Sequence, residues 1–134
     1  MITRERFRQG MTVQEYLDQM QMSRERFERL MAAVPPAARG SRRNVLVITE
    51  DWCGDALASF PALAALVAGN PDVELRVFLR DQSPDVMDQY LNQGKHRSIP
   101  VFVFFDEHMT ERARFTQRSP APDVVAHLVT LLLA

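Results

Sequence analysis

One cysteine, Cys53, stands in the stretch Thr49-Glu50-Asp51-Trp52-Cys53-Gly54-Asp55-Ala56. Before it runs Val45-Leu46-Val47-Ile48, continuously apolar and of strand length, as a strand buried on both faces should be. After it, Asp55 to Val67 reads as a helix with Leu57, Phe60, Leu63, Ala64 and Leu66 as apolar positions. The connection from strand to helix in an open α/β sheet is where ligands and reactive groups collect. A thiol there feels the unpaired N–H groups and positive end of the helix, which favour the nucleophilic thiolate. The chemistry this allows is nucleophilic attack by one sulfur. Glu50, Asp51 and Asp55 oppose it by crowding the thiol with negative charge. A carboxylate about 7 Å away in a water-like medium disfavours the thiolate by roughly 0.6 kcal/mol. Two or three of them offset the helix terminus, worth about 0.3–1 kcal/mol at an exposed charge. Asp55 also has a simpler role, satisfying unpaired N–H groups in the first helical turn.

Other chemistries find little support. His96, His108 and His127 are far apart and lack metal-ligand spacing, so no metal site is expected. There is no phosphate-cradling glycine loop, and Ser, His and Asp form no nucleophile elbow.

The chain has 134 residues, which suits one domain with a real core. Apolar residues at 46% and charged residues at 25% argue against global disorder. A lone cysteine cannot close an internal disulfide, which excludes a disulfide-framework domain. No apolar run reaches the roughly 18 residues needed to span a bilayer. The start, Met1 to Arg6, leads into polar sequence without an apolar secretion core, so a cytoplasmic protein without a membrane partner is expected. Residues 1–43 carry nine Arg against five acidic residues, and residues 44–134 carry seven basic against twelve acidic. Acidic residues interleave the arginines and aromatic platforms are few, so a solvated helix surface is expected rather than a nucleic-acid arm.

Two short helices are expected in residues 1–43. Thr12-x-x-Glu15 is a capping box ahead of Val13, Tyr16, Leu17 and Met20. Ser23 is placed to cap a second helix with Phe27, Leu30, Met31 and Val34 as its stripe, stopped by Pro35-Pro36. Arg39-Gly40-Ser41 reads as a connector. Five of seven methionines (Met1, Met11, Met20, Met22, Met31) lie here, suited to filling the seam against the main domain or to an adaptable binding face. Residues 44–134 then alternate. Gly69-Asn70-Pro71-Asp72 ends the first long helix, and Val73, Leu75, Val77 and Leu79 mark a second strand. Ser83-Pro84 opens a helix with Val86, Met87, Tyr90 and Leu91 buried, closed by Gly94. Ile99 to Phe105 is a third strand, Arg112 to Phe115 its antiparallel partner, and Pro120 to Leu133 a closing helix. The order βαβαββα after two helices gives an α/β fold with a four-stranded mixed sheet flanked by helices. Residues 1–43 form an extension packed on a domain of residues 44–134.

Trp52-Cys53-Gly54 after a buried strand, with Ser98-Ile99-Pro100 opening a later one, resembles the thioredoxin superfamily. It is most similar to the thioredoxin-like subgroup whose motif reads Trp-Cys-Gly-Asp behind a helical extension. The resemblance covers residues 44–134. It implies that Pro100 is a cis-proline facing Cys53, and that the backbone of Ile99 docks an extended peptide or a glutathione moiety. Lys95-His96-Arg97, just before that proline, should then lie across the site and partly balance its acidic residues. Three features depart from the family pattern: Ala56 stands where the second thiol of Cys-x-x-Cys would be, Val47 replaces a buried Asp, and Glu50, Asp51 and Asp55 crowd the thiol. An internal dithiol cycle is therefore excluded for this chain acting alone.

The resemblance implies thiol–disulfide exchange with a protein or low-molecular-weight thiol, glutathione being an eligible co-substrate and no bound cofactor being required. Cys53 would be the nucleophile, Ile99 and Pro100 the dock, and Asp51, Trp52, Gly54, Asp55 and Ala56 the flanking residues. The competing reading is a non-catalytic binding module using the same groove. The N-terminal helices offer a surface for a homodimer.

Overall fold

Along β1 (Arg43–Thr49), Val45 and Val47 enter one core while Leu46 and Ile48 enter another, so the strand is buried on both faces. The computed structural model describes residues 1–36 and 40–134; Arg39 of the expected connector lies outside the described residues. β1 pairs in parallel with β2 (Val73–Leu79), so that Thr49 and Leu79 end side by side. On its other side it pairs antiparallel with β3 (Val101–Phe105), which pairs antiparallel with β4 (Glu111–Thr116). The sheet order is β2-β1-β3-β4, the mixed four-stranded sheet expected.

One face is covered by α2 (Val13–Gln19), α3 (Arg24–Ala32), α4 (Gly54–Val67) and α6 (Val124–Leu133). The other face takes α1 (Arg4–Arg8) and α5 (Pro84–Met87), through Phe7, Val86 and Met87 against Leu46, Ile48 and Phe105. Three helices therefore precede β1, one more than the sequence suggested. Thr3 caps the additional one by accepting from the Arg6 amide at 3.1 Å. Its five residues bury only Phe7, too little to produce a repeating apolar stripe. The capping box of α2 forms as expected. Ser23 does not cap α3: it sits at φ 66 without a side-chain hydrogen bond to the helix. α5 ends at Met87 instead of running toward Gly94. The backbone beyond is taken by a closed turn in which Asn92 and His96 exchange N–H···O bonds of 2.8 and 3.0 Å.

The extension is built into the core. Phe60 of α4 meets Tyr16 at 5.4 Å, Phe27 at 5.3 Å and Phe102 of the sheet at 5.9 Å between ring centroids. Offset and edge-on pairs of this kind add about 0.5–1.5 kcal/mol each beyond burial. Met11, Met20 and Met31 fill the seam, while Met1 and Met22 are exposed. Met11 also exchanges backbone bonds of 2.9 and 2.7 Å with Val77 of β2. Gly10 lets the chain come this close: a Cβ there would fall 2.6 Å from the Phe78 ring. Arg6 ties α1 to α5 with a two-pronged pair to Asp85 at 2.9 and 3.1 Å.

Candidate functional site

Because β1 and β2 run parallel, their C-terminal ends open at the same rim, and α4 starts there. Cys53 is the residue immediately before α4, in extended conformation (φ −82, ψ 117). Its side chain is half-buried, and its thiol donates to the Ile99 carbonyl across 3.7 Å. The Ile99–Pro100 peptide is cis. The Pro100 carbonyl accepts from the Gln117 amide at 2.7 Å, which pins the bend to the end of β4. Cys53, Ile99 and Pro100, 46 residues apart in sequence, are thus brought together. Gly54 is exposed in the first turn, Ala56 is buried beneath it, and Val47 is fully enclosed in the core.

The three carboxylates that the sequence sets around the thiol are each committed to a different neighbouring segment. Glu50, only 9% exposed, accepts from the Asp81 amide at 2.9 Å. Burial pushes its carboxyl above the ordinary value, and that amide pulls it partly back. Asp51 accepts through Oδ2 from two consecutive amides, Gln21 at 2.7 Å and Met22 at 3.2 Å. Asp55 receives Arg118 at 3.3 Å and Gln117 at 3.4 Å. Bonds to a charged acceptor are worth about 1.5–3 kcal/mol where water is excluded, and about 0–1 kcal/mol for an exposed pair such as Asp55–Arg118. The acidic crowd therefore fastens the thiol loop to the β2 rim, the extension and β4.

Trp52 is half-exposed beside the thiol, with the Arg80 guanidinium 5.1 Å from the centre of its ring. Arg80 directly follows β2 and also donates to the Arg97 carbonyl at 3.3 Å. The expectation that Lys95, His96 and Arg97 supply the balancing charge is corrected here. Arg97 turns to Asp88 at 2.8 Å, and Lys95 and His96 face solvent in the closed turn. The cation against Trp52 is Arg80. Sequence reading missed it, although its position one residue past a strand parallel to β1 was the available signal. Tyr16 of α2 was also missed: its buried hydroxyl meets the Thr49 side chain, and burial pushes it well above the ordinary phenol range. Among the described residues no group of His, Cys, Asp and Glu could hold a metal ion, and no helix is long and apolar enough to cross a membrane.

No curated protein sequence matches the chain significantly. Among solved structures, it resembles a protein of unknown function from Pseudomonas aeruginosa, with TM-score 0.74, 20% identity, and 95% of this chain and 87% of that one covered. An HIV epitope scaffold aligns with TM-score 0.71 at 22% identity over 96% of this chain and 88% of that one. Thioredoxin of Fasciola hepatica aligns with TM-score 0.52 at 24% identity over 69% of this chain and 79% of that one. These likenesses show a shared fold. A family model described as thioredoxin matches residues 10–130, and on that match, which spans most of the sequence, the chain belongs to the thioredoxin family.

Proposed function

We propose that the protein is a monothiol member of its family, of the Trp-Cys-Gly-Asp kind, that exchanges Cys53 with the disulfide of a protein or low-molecular-weight thiol. The observation that carries this reading is the half-buried Cys53 thiol at the start of α4, 3.7 Å from the carbonyl beside a cis-proline. The Cys53 thiolate attacks a disulfide R–S–S–R′, forming Cys53–S–S–R and releasing R′–S⁻, which takes a proton from water. A low-molecular-weight thiol such as glutathione then attacks the mixed disulfide, leaves as its own disulfide with R, and returns Cys53 reduced. No second thiol exists in the chain to take that role, since position 56 is Ala. Ile99 and Pro100 would dock the substrate backbone, and the cytoplasm, where thiols are kept reduced, is the compartment that suits such a cycle.

The test is capture of a mixed disulfide. The wild-type protein, incubated with oxidised glutathione or with an oxidised peptide, should gain the mass of one thiol adduct at Cys53, and reduced glutathione should remove it over repeated cycles. Absence of any adduct while Cys53 still reacts with iodoacetamide would overturn exchange. It would favour a module that holds its partner without chemistry, a reading for which Ala56 is the specific observation.

A further inference from the structure

We propose that Asp51 is a positioning residue that locks the Met20–Ser23 turn of the N-terminal extension beside the thiol loop, making that turn one wall of the site. This rests on the exchange chemistry proposed above. The turn has little of its own to hold it. Ser23 sits at φ 66 and gives α3 no side-chain cap. The amides of Gln21 and Met22 both point to one acceptor, Oδ2 of Asp51, at 2.7 and 3.2 Å. The two ends of the turn are anchored independently, since Tyr16 before it and Phe27 after it are buried against Phe60. Asp51 fixes the middle.

Asp51 belongs to the loop that carries Trp52 and Cys53, so whatever it fixes is fixed relative to the sulfur. Met22 and Trp52, adjacent to the two ends of this link, are among the large apolar side chains that remain exposed, at 54% and 51%. A substrate large enough to reach beyond the sulfur therefore meets a surface whose one side is the extension. A small reagent needs only the sulfur. Losing the carboxylate frees the turn without touching Cys53, α4 or Pro100, and the two kinds of reagent should separate.

The experiment uses the full-length chain as wild type, Asp51→Ala and Asp51→Asn, with circular dichroism confirming that each folds. Amide hydrogen exchange at Gln21 and Met22 should accelerate about tenfold or more in Asp51→Ala, as loss of a charge-assisted acceptor requires. Asp51→Asn keeps an acceptor oxygen and should fall between. Losing one negative charge near the thiol should change exchange with bis(2-hydroxyethyl) disulfide by about threefold at most, and relative to that reagent exchange with the disulfide of a ten-residue peptide should slow about fivefold or more in Asp51→Ala. Unchanged amide exchange at Gln21 and Met22, or an equal effect on both disulfides, would overturn the proposal. Should the wild type exchange with neither disulfide, the functional reading falls. The positioning role is then decided by the amide data, with alkylation by iodoacetamide and by a maleimide on the same peptide as the small and large reagents.

Discussion

The guanidinium of Arg80 lies over the indole of Trp52 at 5.1 Å, and the chain has no other tryptophan. The contact joins the residue just past the end of β2 to the residue before the thiol, so it couples the sheet rim to the loop. Stacked cations of this kind contribute about 0.5–1 kcal/mol when partly exposed.

Arg80→Ala should therefore lower stability by about 0.5–1 kcal/mol. It should also shift the intrinsic fluorescence to longer wavelength as Trp52 gains solvent. Arg80→Lys keeps the charge without the flat stacking surface and should recover only part of the shift. Emission unchanged in Arg80→Ala would show that the pair does not hold the indole.

Ala56 is buried three residues after Cys53 in the first turn of α4. In Ala56→Cys the two sulfurs should close a disulfide, which needs Cβ atoms about 3.5–4.5 Å apart, because position 56 lies in the first turn of the helix that Cys53 precedes. Mass spectrometry should show the loss of two hydrogens on oxidation, and the variant should reduce insulin where the wild type does not. Failure to close the bond would contradict the placement of Cys53 at the helix start.

Phe27 belongs to the extension yet is 2% exposed and meets Phe60 edge-on at 5.3 Å. Phe27→Ala should cost about 3–5 kcal/mol in denaturant unfolding, as expected for emptying an aromatic site in a core. A loss under about 1 kcal/mol would mean that the extension can detach while the rest stays folded.

Glu50 gives a pH signature. Its folded-state carboxyl is held above the ordinary value, so the native protein binds this proton more tightly than the unfolded chain does. Its contribution to stability accordingly falls as pH rises through the range between the unfolded and folded values, and stays low above it. Glu50→Gln keeps an oxygen for the Asp81 amide and removes the titration. Thermal unfolding should show the variant gaining on the wild type at pH 7, with the difference closing below about pH 4. A difference that is constant with pH would contradict the burial effect.

The sheet and the meeting of Cys53 with Ile99-Pro100 were legible because strong local signals carry them. Val45 to Ile48 is uniformly apolar, the 69–72 turn is rich in breakers, and the Trp-Cys-Gly and Ile-Pro signatures sit at the rims of strands. The misses share a cause in long-range partners. Residues 4–8 are helical because Thr3 caps them and Phe7 has a pocket, which a five-residue window cannot reveal. Ser23 looked like a cap, but Asp51, 28 residues further along, holds that turn instead. Arg97 was expected across the site because it precedes Ile99-Pro100, but Asp88 draws it away and Arg80 meets Trp52.

The backbone exchange between Met11 and Val77 bears on self-association. β2 is an outermost strand, and unpaired N–H and C=O groups along such a strand are a template for another molecule. Met11 occupies that template at its centre, while β4 on the opposite margin is guarded by Glu111, Arg112 and Arg114. Loosening of the short segment around Met11 would thus uncover a sticky margin, one prone to strand-to-strand oligomers.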